Sequence, residues 1–212
     1  MSDIFREIDE DIRRENYFKL WQRYGRYVIA VAVIAVVATA LVVGWREYRL
    51  RQRQALGVQY AAALDLAHQG KDKEAEGAFG ALTQGAGSRA LLARFETAAI
   101  KAKSNDAPGA IAIYDQIAGD AGVDQTYRDF AALSAARFVV DSDPKDAVAR
   151  LQKLTDGVNP WHASALELTA IAQLKGGDKD AARATYQKLS DDLTAPAGLR
   201  ARATEMEAAL GQ

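Results

Sequence analysis

Three patterns of apolar and polar positions follow one another along this chain. Ile4, Ile8 and Ile12 stand at i, i+4 and i+8 with carboxylates and arginines between them, which predicts a short amphipathic helix at the N-terminus. From Val28 to Gly44 the sequence VIAVAVIAVVATALVVG then runs without a charge. With the flanking Tyr27 and Trp45 the run reaches nineteen residues, about 28 Å of helix and close to the hydrocarbon thickness of a bilayer. Beyond Gln54 a third pattern begins, in which apolar residues recur at helical spacing between short polar turns. Alanine supplies about a fifth of the chain and only four prolines interrupt it. The expected fold is therefore all-α, an N-terminal transmembrane helix followed by a solenoid of helical hairpins.

The third pattern is periodic. The turn residues Gly70, Asn105, Ser142 and Gly177 are each followed five residues later by an alanine, and the intervals between repeats are 35, 37 and 35. Each alanine opens the same phrase of small, large and aliphatic residues: Ala75, Phe79, Leu82; Ala110, Tyr114, Ile117; Ala147, Leu151, Leu154; Ala182, Tyr186, Leu189. These positions share one helical face. Twelve residues earlier stand Ala63, Ala98, Ala135 and Ala170, and twelve residues later stand Gly87, Gly122, Asn159 and Thr194, with Pro160 and Pro196 close behind the last two. The later set consists of helix-ending types. The pattern predicts four hairpins whose helices cross where side chains are small, with larger residues filling the space between hairpins. Pro108 and Pro144 fall in the first turns of second helices, where a missing N–H costs nothing.

This skeleton resembles the tetratricopeptide repeat family, whose period is about 34 residues. The resemblance runs roughly from Val58 to Leu193, with Ala197 to Leu210 as a final amphipathic helix that shields the last hairpin. The family's early tryptophan is replaced by Gln59, Arg94, Ala131 and Leu166, and its leucine by Ala62, Thr97, Ser134 and Thr169. Its usual tyrosine is Leu66, Lys101, Phe138 or Gln173. The resemblance thus implies a degenerate, TPR-like solenoid. The expected division is a charged segment 1–26, a transmembrane helix 27–45, a juxtamembrane helical linker 46–57 and a repeat domain 58–212 with a C-terminal capping helix.

Trp21, Tyr24 and Tyr27 precede the apolar run and Trp45 and Tyr48 follow it, as suits amphipathic rings at headgroup level. A helix buried in a soluble core seldom stays apolar on every face for such a length. A cleaved signal peptide fits poorly, because a leader with both signs of charge comes first and apolar chain continues past Ala38-Thr39-Ala40. An uncleaved single-pass anchor is expected. Arg13, Arg14, Lys19, Arg23 and Arg26 nearly balance Arg46, Arg49, Arg51 and Arg53, so the positive-inside rule leaves the orientation open. Ala35-x3-Thr39 and Ala40-x3-Gly44 place small residues at the spacing that lets a second helix approach.

Composition narrows the chemistry. The formal charge of −1, from 27 basic and 28 acidic residues, provides no field that draws the chain to nucleic acid. With no cysteine, disulfides, thiol catalysis and thiolate zinc sites are excluded. His68 and His162 fall in different repeats at helix ends, the ordinary setting of a surface histidine. Gly80-x4-Gly85-x-Gly87-Ser88 lacks the lysine and the preceding strand of a phosphate loop and reads as a turn between hairpins. Asp141, Asp143 and Asp146 lack the glycine and terminal glutamate of a calcium loop and read as a capped turn. No catalytic residue, cofactor, metal or small-molecule substrate is expected, and the chain reads as a non-enzymatic interaction module.

First helices build the concave face of such a solenoid. The repeat register projects Tyr60, Leu64, Phe95, Ala99, Ala136, Val139, Ile171 and Leu174 onto it as candidates for a partner-binding groove. An apolar groove of this kind suits extended or helical segments of another protein. The charged leader, Tyr24-Gly25 before the span, Gly44-Trp45-Arg46-x-Tyr48 closing it and the helical repeats beyond are together similar to the YfgM-like family, ancillary subunits of the bacterial Sec translocon. That resemblance implies a single-pass inner-membrane protein with its repeats in the periplasm, and so an orientation that charge counting leaves open. It also implies translocon subunits, periplasmic chaperones or exported polypeptides as partners. The alternative is an adaptor in envelope assembly or cell-division machinery.

Overall fold

The computed structural model describes the backbone of residues 2–85 and 87–211, and the side chains of residues 21–27, 29–52, 54–85 and 87–211. Ile4, Ile8 and Ile12 thus lie outside the described side chains. The elements are α1 (Ser2–His68), α2 (Asp72–Thr83), α3 (Ser88–Lys103), α4 (Ala107–Ala118), α5 (Gln125–Val139), α6 (Pro144–Thr155), α7 (His162–Lys175), α8 (Lys179–Asp191) and α9 (Ala197–Leu210). The chain forms two compact units, Met1–Ala55 and Leu56–Gln212.

In the first unit the apolar run is helical, and from Trp21 onward α1 is long and apolar enough to cross a bilayer. Ile29, Val31, Ile34, Val36 and Leu41 are all exposed. The run contains one hydroxyl that would suffer in hydrocarbon, and Thr39 satisfies it by donating to the Ala35 carbonyl at 2.8 Å. The ends are of different chemistry. The Arg23 guanidinium lies 5.8 Å from the Tyr24 ring, that of Arg26 4.9 Å from Tyr27, and that of Arg49 5.2 Å from Trp45. Such pairs hold cations beside amphipathic rings, the arrangement found where a helix meets a bilayer–water boundary.

The second unit is a stack of hairpins. The last turns of α1 pair with α2, then come α3/α4, α5/α6 and α7/α8, with α9 closing the stack. From α2 to α9 each helix packs on the next, and α5–α7 and α7–α9 also touch, so first helices form one layer and second helices the other. Ala63, Ala98, Ala135 and Ala170 on first helices and Ala75, Ala110, Ala147 and Ala182 on second helices are all 0% exposed. Phe79, Ile117, Leu151 and Leu189, the largest fully buried side chains, each contribute about 1.5–3 kcal/mol by leaving water. On α9, Ala203 and Leu199 cover Leu166, Ala170, Tyr186 and Leu189, which leaves the last hairpin shielded.

Three of the four hairpin turns share one geometry. Gly70, Asn105 and Gly177 adopt left-handed φ values of 75°, 61° and 85°. In each turn the next amide reaches back five residues, Lys71 to Leu66, Asp106 to Lys101 and Asp178 to Gln173, at 3.0, 2.8 and 2.9 Å. This is the Schellman closure of a helix. Asp106 and Asp178 then cap the following helix by accepting from the amides of Gly109 and Ala181.

The α5/α6 turn departs from this pattern. It has four residues instead of three, Val140 to Asp143, none of them left-handed, and Pro144 directly follows Asp143, whose φ is an extended −142°. The crossing differs as well. Ala63 shares a core cluster with Ala75, and Ala98 with Ala110, but the α5 alanine that shares a cluster with Ala147 is Ala136, while Ala135 clusters with Tyr114 and Ile117 of the preceding hairpin.

Candidate docking groove

A concavity of about 750 Å³ lies between the first helices α5 and α7. Phe130, Ser134, Arg137 and, just past the helix end, Asp141 line it from one side, and Ser164, Glu167, Leu168 and Ile171 from the other. Each set follows i, i+3/i+4, i+7 spacing, so each is a single stripe along its helix. Tyr114 and Phe138 form part of the lining with their rings stacked 6.0 Å apart at 14°.

The electrostatics are mixed. Asp141 forms an ion pair with Lys175, and Glu167 accepts from Arg202 Nε at 2.9 Å, which ties α7 to the capping helix. Among the described residues no carboxylate pairs with Arg137, which is exposed at the rim. Burial, and next the charge of Glu96, push the Tyr114 phenol above its ordinary pKa. It therefore stays neutral and able to donate at any physiological pH. A groove of this size with rings and aliphatic groups at its base and charges at its rim accommodates a short helical or extended segment of another chain.

Of the eight residues the sequence projects onto a concave face, the groove contains Ile171. Tyr60 packs edge-on against Phe79 at 5.4 Å and donates to Glu96 at 3.3 Å. Leu64 joins the same cluster, Phe95 packs among Tyr114, Tyr127 and Phe130, and Leu174 packs against the last core cluster. Ala99 is exposed. Ala136 and Val139 are buried in the cluster that also holds Ala147, Leu151 and Leu154 of α6. The remaining lining was missed because it alternates hydroxyl, charge and apolar groups, so its stripe does not stand out by hydropathy.

The other sequence candidates have local explanations. His68 ends α1, and His162 opens α7 with Nδ1 3.0 Å from the Leu154 carbonyl. Asp143 caps α6, Asp146 accepts from Arg150 Nε at 2.7 Å and Asp141 faces Lys175, so each carboxylate has its own partner. Gly87 carries a φ of 91° as the residue before α3, a conformation suited to glycine. Among the described residues no group of three or more histidines and carboxylates is placed to hold a metal ion.

No curated protein and no solved structure matches the chain. Residues 19–208 match the family described as Tetratricopeptide repeat-like domain. With its hairpins, buried alanine crossings and repeated turns inside that span, the chain belongs to the tetratricopeptide repeat-like domain family.

Proposed function

We propose that this protein is a membrane-anchored docking module: an ancillary subunit of the bacterial Sec translocon that links the channel to periplasmic chaperones or to exported chains. The observation that carries the reading is the pairing of two features in one chain. One is an exposed apolar helix long enough to span a bilayer. The other is a TPR-like repeat unit with an open groove between α5 and α7. Repeat domains of this kind typically bind protein segments and carry out no chemistry of their own. The translocon assignment is supported by the similarity of the leader, the motifs that bracket the span and the domain order to the YfgM-like family. In this reading residues 27–45 form the span, the repeats face the periplasm and Ile171 belongs to the partner-binding surface.

The test combines placement and company. Reporters fused after Gln212 are expected to be active only in the periplasm. The full chain, solubilised from membranes in mild detergent, is expected to carry translocon subunits with it. A cytosolic reporter signal overturns the reading. Co-purification with cell-division or outer-membrane assembly machinery, without the translocon, replaces it with the adaptor alternative.

A further inference from the structure

Half of the polar side chains that line the α5–α7 groove are already engaged within the protein. Ser134 donates to the Phe130 carbonyl at 2.8 Å, Asp141 is paired with Lys175, and Glu167 accepts from Arg202 Nε at 2.9 Å. The remaining lining is apolar apart from the Tyr114 and Ser164 hydroxyls and Arg137. The walls are helices, whose backbone N–H and C=O groups bond to each other, and the described residues include no strand edge.

This supply of partners selects between two shapes of guest. An extended segment presents a donor and an acceptor at every residue, and leaving them unpaired over Leu133, Phe138, Leu168 and Ile171 is costly. Strands bound by main-chain hydrogen bonds use a sheet edge, which these walls lack. An α-helix arrives with its backbone satisfied, and a row of apolar side chains at i, i+3/i+4 and i+7 fills the space between two helical stripes. The groove therefore suits a helix.

Charge narrows the choice further. The pairs Asp141–Lys175 and Glu167–Arg202 each cancel internally, whereas Arg137, exposed at the rim, meets no carboxylate among the described residues. Glu96, the acid whose charge reaches Tyr114, lies outside the lining and accepts from the Tyr60 hydroxyl at 3.3 Å. An unmatched positive charge thus stands beside an apolar base. Its complement is a carboxylate beside an apolar row.

We infer that the α5–α7 groove receives an amphipathic helix of another protein whose apolar row is flanked by an acidic side chain, and that Arg137 selects for that acid. The inference rests on the reading of the chain as a docking module and names the class of segment that it docks.

The test uses the full chain in phosphatidylcholine nanodiscs, with empty nanodiscs as the blank, and reads the fluorescence anisotropy of labelled probe peptides. The probes are hydrocarbon-stapled alanine–glutamine helices with leucines at i, i+4 and i+7, flanked by glutamate, glutamine or lysine. All are amidated, so that the acid offered is a side chain and not a chain terminus. The glutamate helix should bind ~2- to 5-fold more tightly than the glutamine helix, the range of one exposed ion pair, and the lysine helix should bind most weakly. Arg137→Gln should erase the preference, and Arg137→Glu should reverse it in favour of lysine, which locates the binding at this rim. An unstapled glutamate peptide with a central proline should bind ~10-fold more weakly or worse, because proline breaks the helix. Equal binding by the proline peptide, no preference for glutamate, a preference that survives Arg137→Gln, no reversal with Arg137→Glu, or no binding of any probe overturns the inference. None of these outcomes changes reporter placement or co-purification, so the translocon reading fails or stands on its own test.

Discussion

The indole Nε1 of Trp161 donates to the backbone carbonyl of Thr126 at 2.9 Å, across 35 residues and therefore one repeat. The same ring packs against Phe130 with centroids 4.9 Å apart. A single side chain thus joins the start of α7 to the start of α5 at one end of the docking groove. Trp161→Ala should cost roughly 1–3 kcal/mol, mainly from lost ring packing, whereas Trp161→Phe should cost less. Trp161 is the one tryptophan beyond Trp45, so denaturant unfolding of these variants is best followed by circular dichroism. Equal stability of the alanine variant and the native chain would contradict the contact.

Ala98 and Ala99 are sequence neighbours with opposite environments, one 0% exposed at a helix crossing and the other on the surface. Ala98→Leu should overpack the α3/α4 crossing and cost about 1–3 kcal/mol. Ala99→Leu should stay within about 0.5 kcal/mol of the native chain. Thermal melts of the pair test the repeat register, and a reversed order would refute it.

Asn105 occupies the left-handed position that glycine holds in two sister turns. A β-branched residue there meets its own backbone, so Asn105→Val should destabilise by roughly 1–2 kcal/mol. Asn105→Gly should be close to neutral, because relief of strain is offset by the greater freedom of the unfolded chain. Chemical denaturation of the two variants measures the difference directly.

Acid sensitivity follows from carboxylates held in their charged form. The Gly109 amide, and next the Lys101 ammonium, hold Asp106 below the usual carboxylate range. Arg94, and next the Gly122 amide, do the same for Asp120. A folded-state pKa below the unfolded one contributes stability that is present above the unfolded value of about 3.9 and is lost as pH falls through the lower folded value. Thermal midpoints should accordingly fall below about pH 4. Asp106→Asn keeps a competent helix cap while removing the titrating charge, so its midpoint should fall less steeply with acid. Parallel profiles would show that Asp106 contributes nothing to the acid transition.

What the sequence displayed, and what it hid, has a physical basis. Ala63 and Ala75, or Gly70 and Gly177, are visible because close helix crossings and left-handed turns admit few residue types. The apolar span is equally plain, because hydrocarbon tolerates few exceptions. The groove is harder to see. Apolarity on a first helix marks burial as readily as docking, so the choice of apolar positions led to Ala136 and Val139, which the core claims. The lining itself, with Ser134, Arg137, Ser164 and Glu167, has helical spacing without a hydropathy signal. The altered α5/α6 turn was not foreseen either, although Pro144 directly after Asp143 was the local sign of it.

The central claim is that the α5–α7 groove receives partners while the chain is held in the membrane. It is tested most directly by photo-crosslinking in intact cells, with the crosslinker placed in the full chain at Ser134 and Ser164 within the groove and at exposed Ala112 on α4 as the control. The account predicts adducts with translocon subunits, periplasmic chaperones or exported polypeptides from the two groove positions and few from Ala112. Adducts of equal yield from all three positions, or adducts with cytosolic proteins alone, would contradict it.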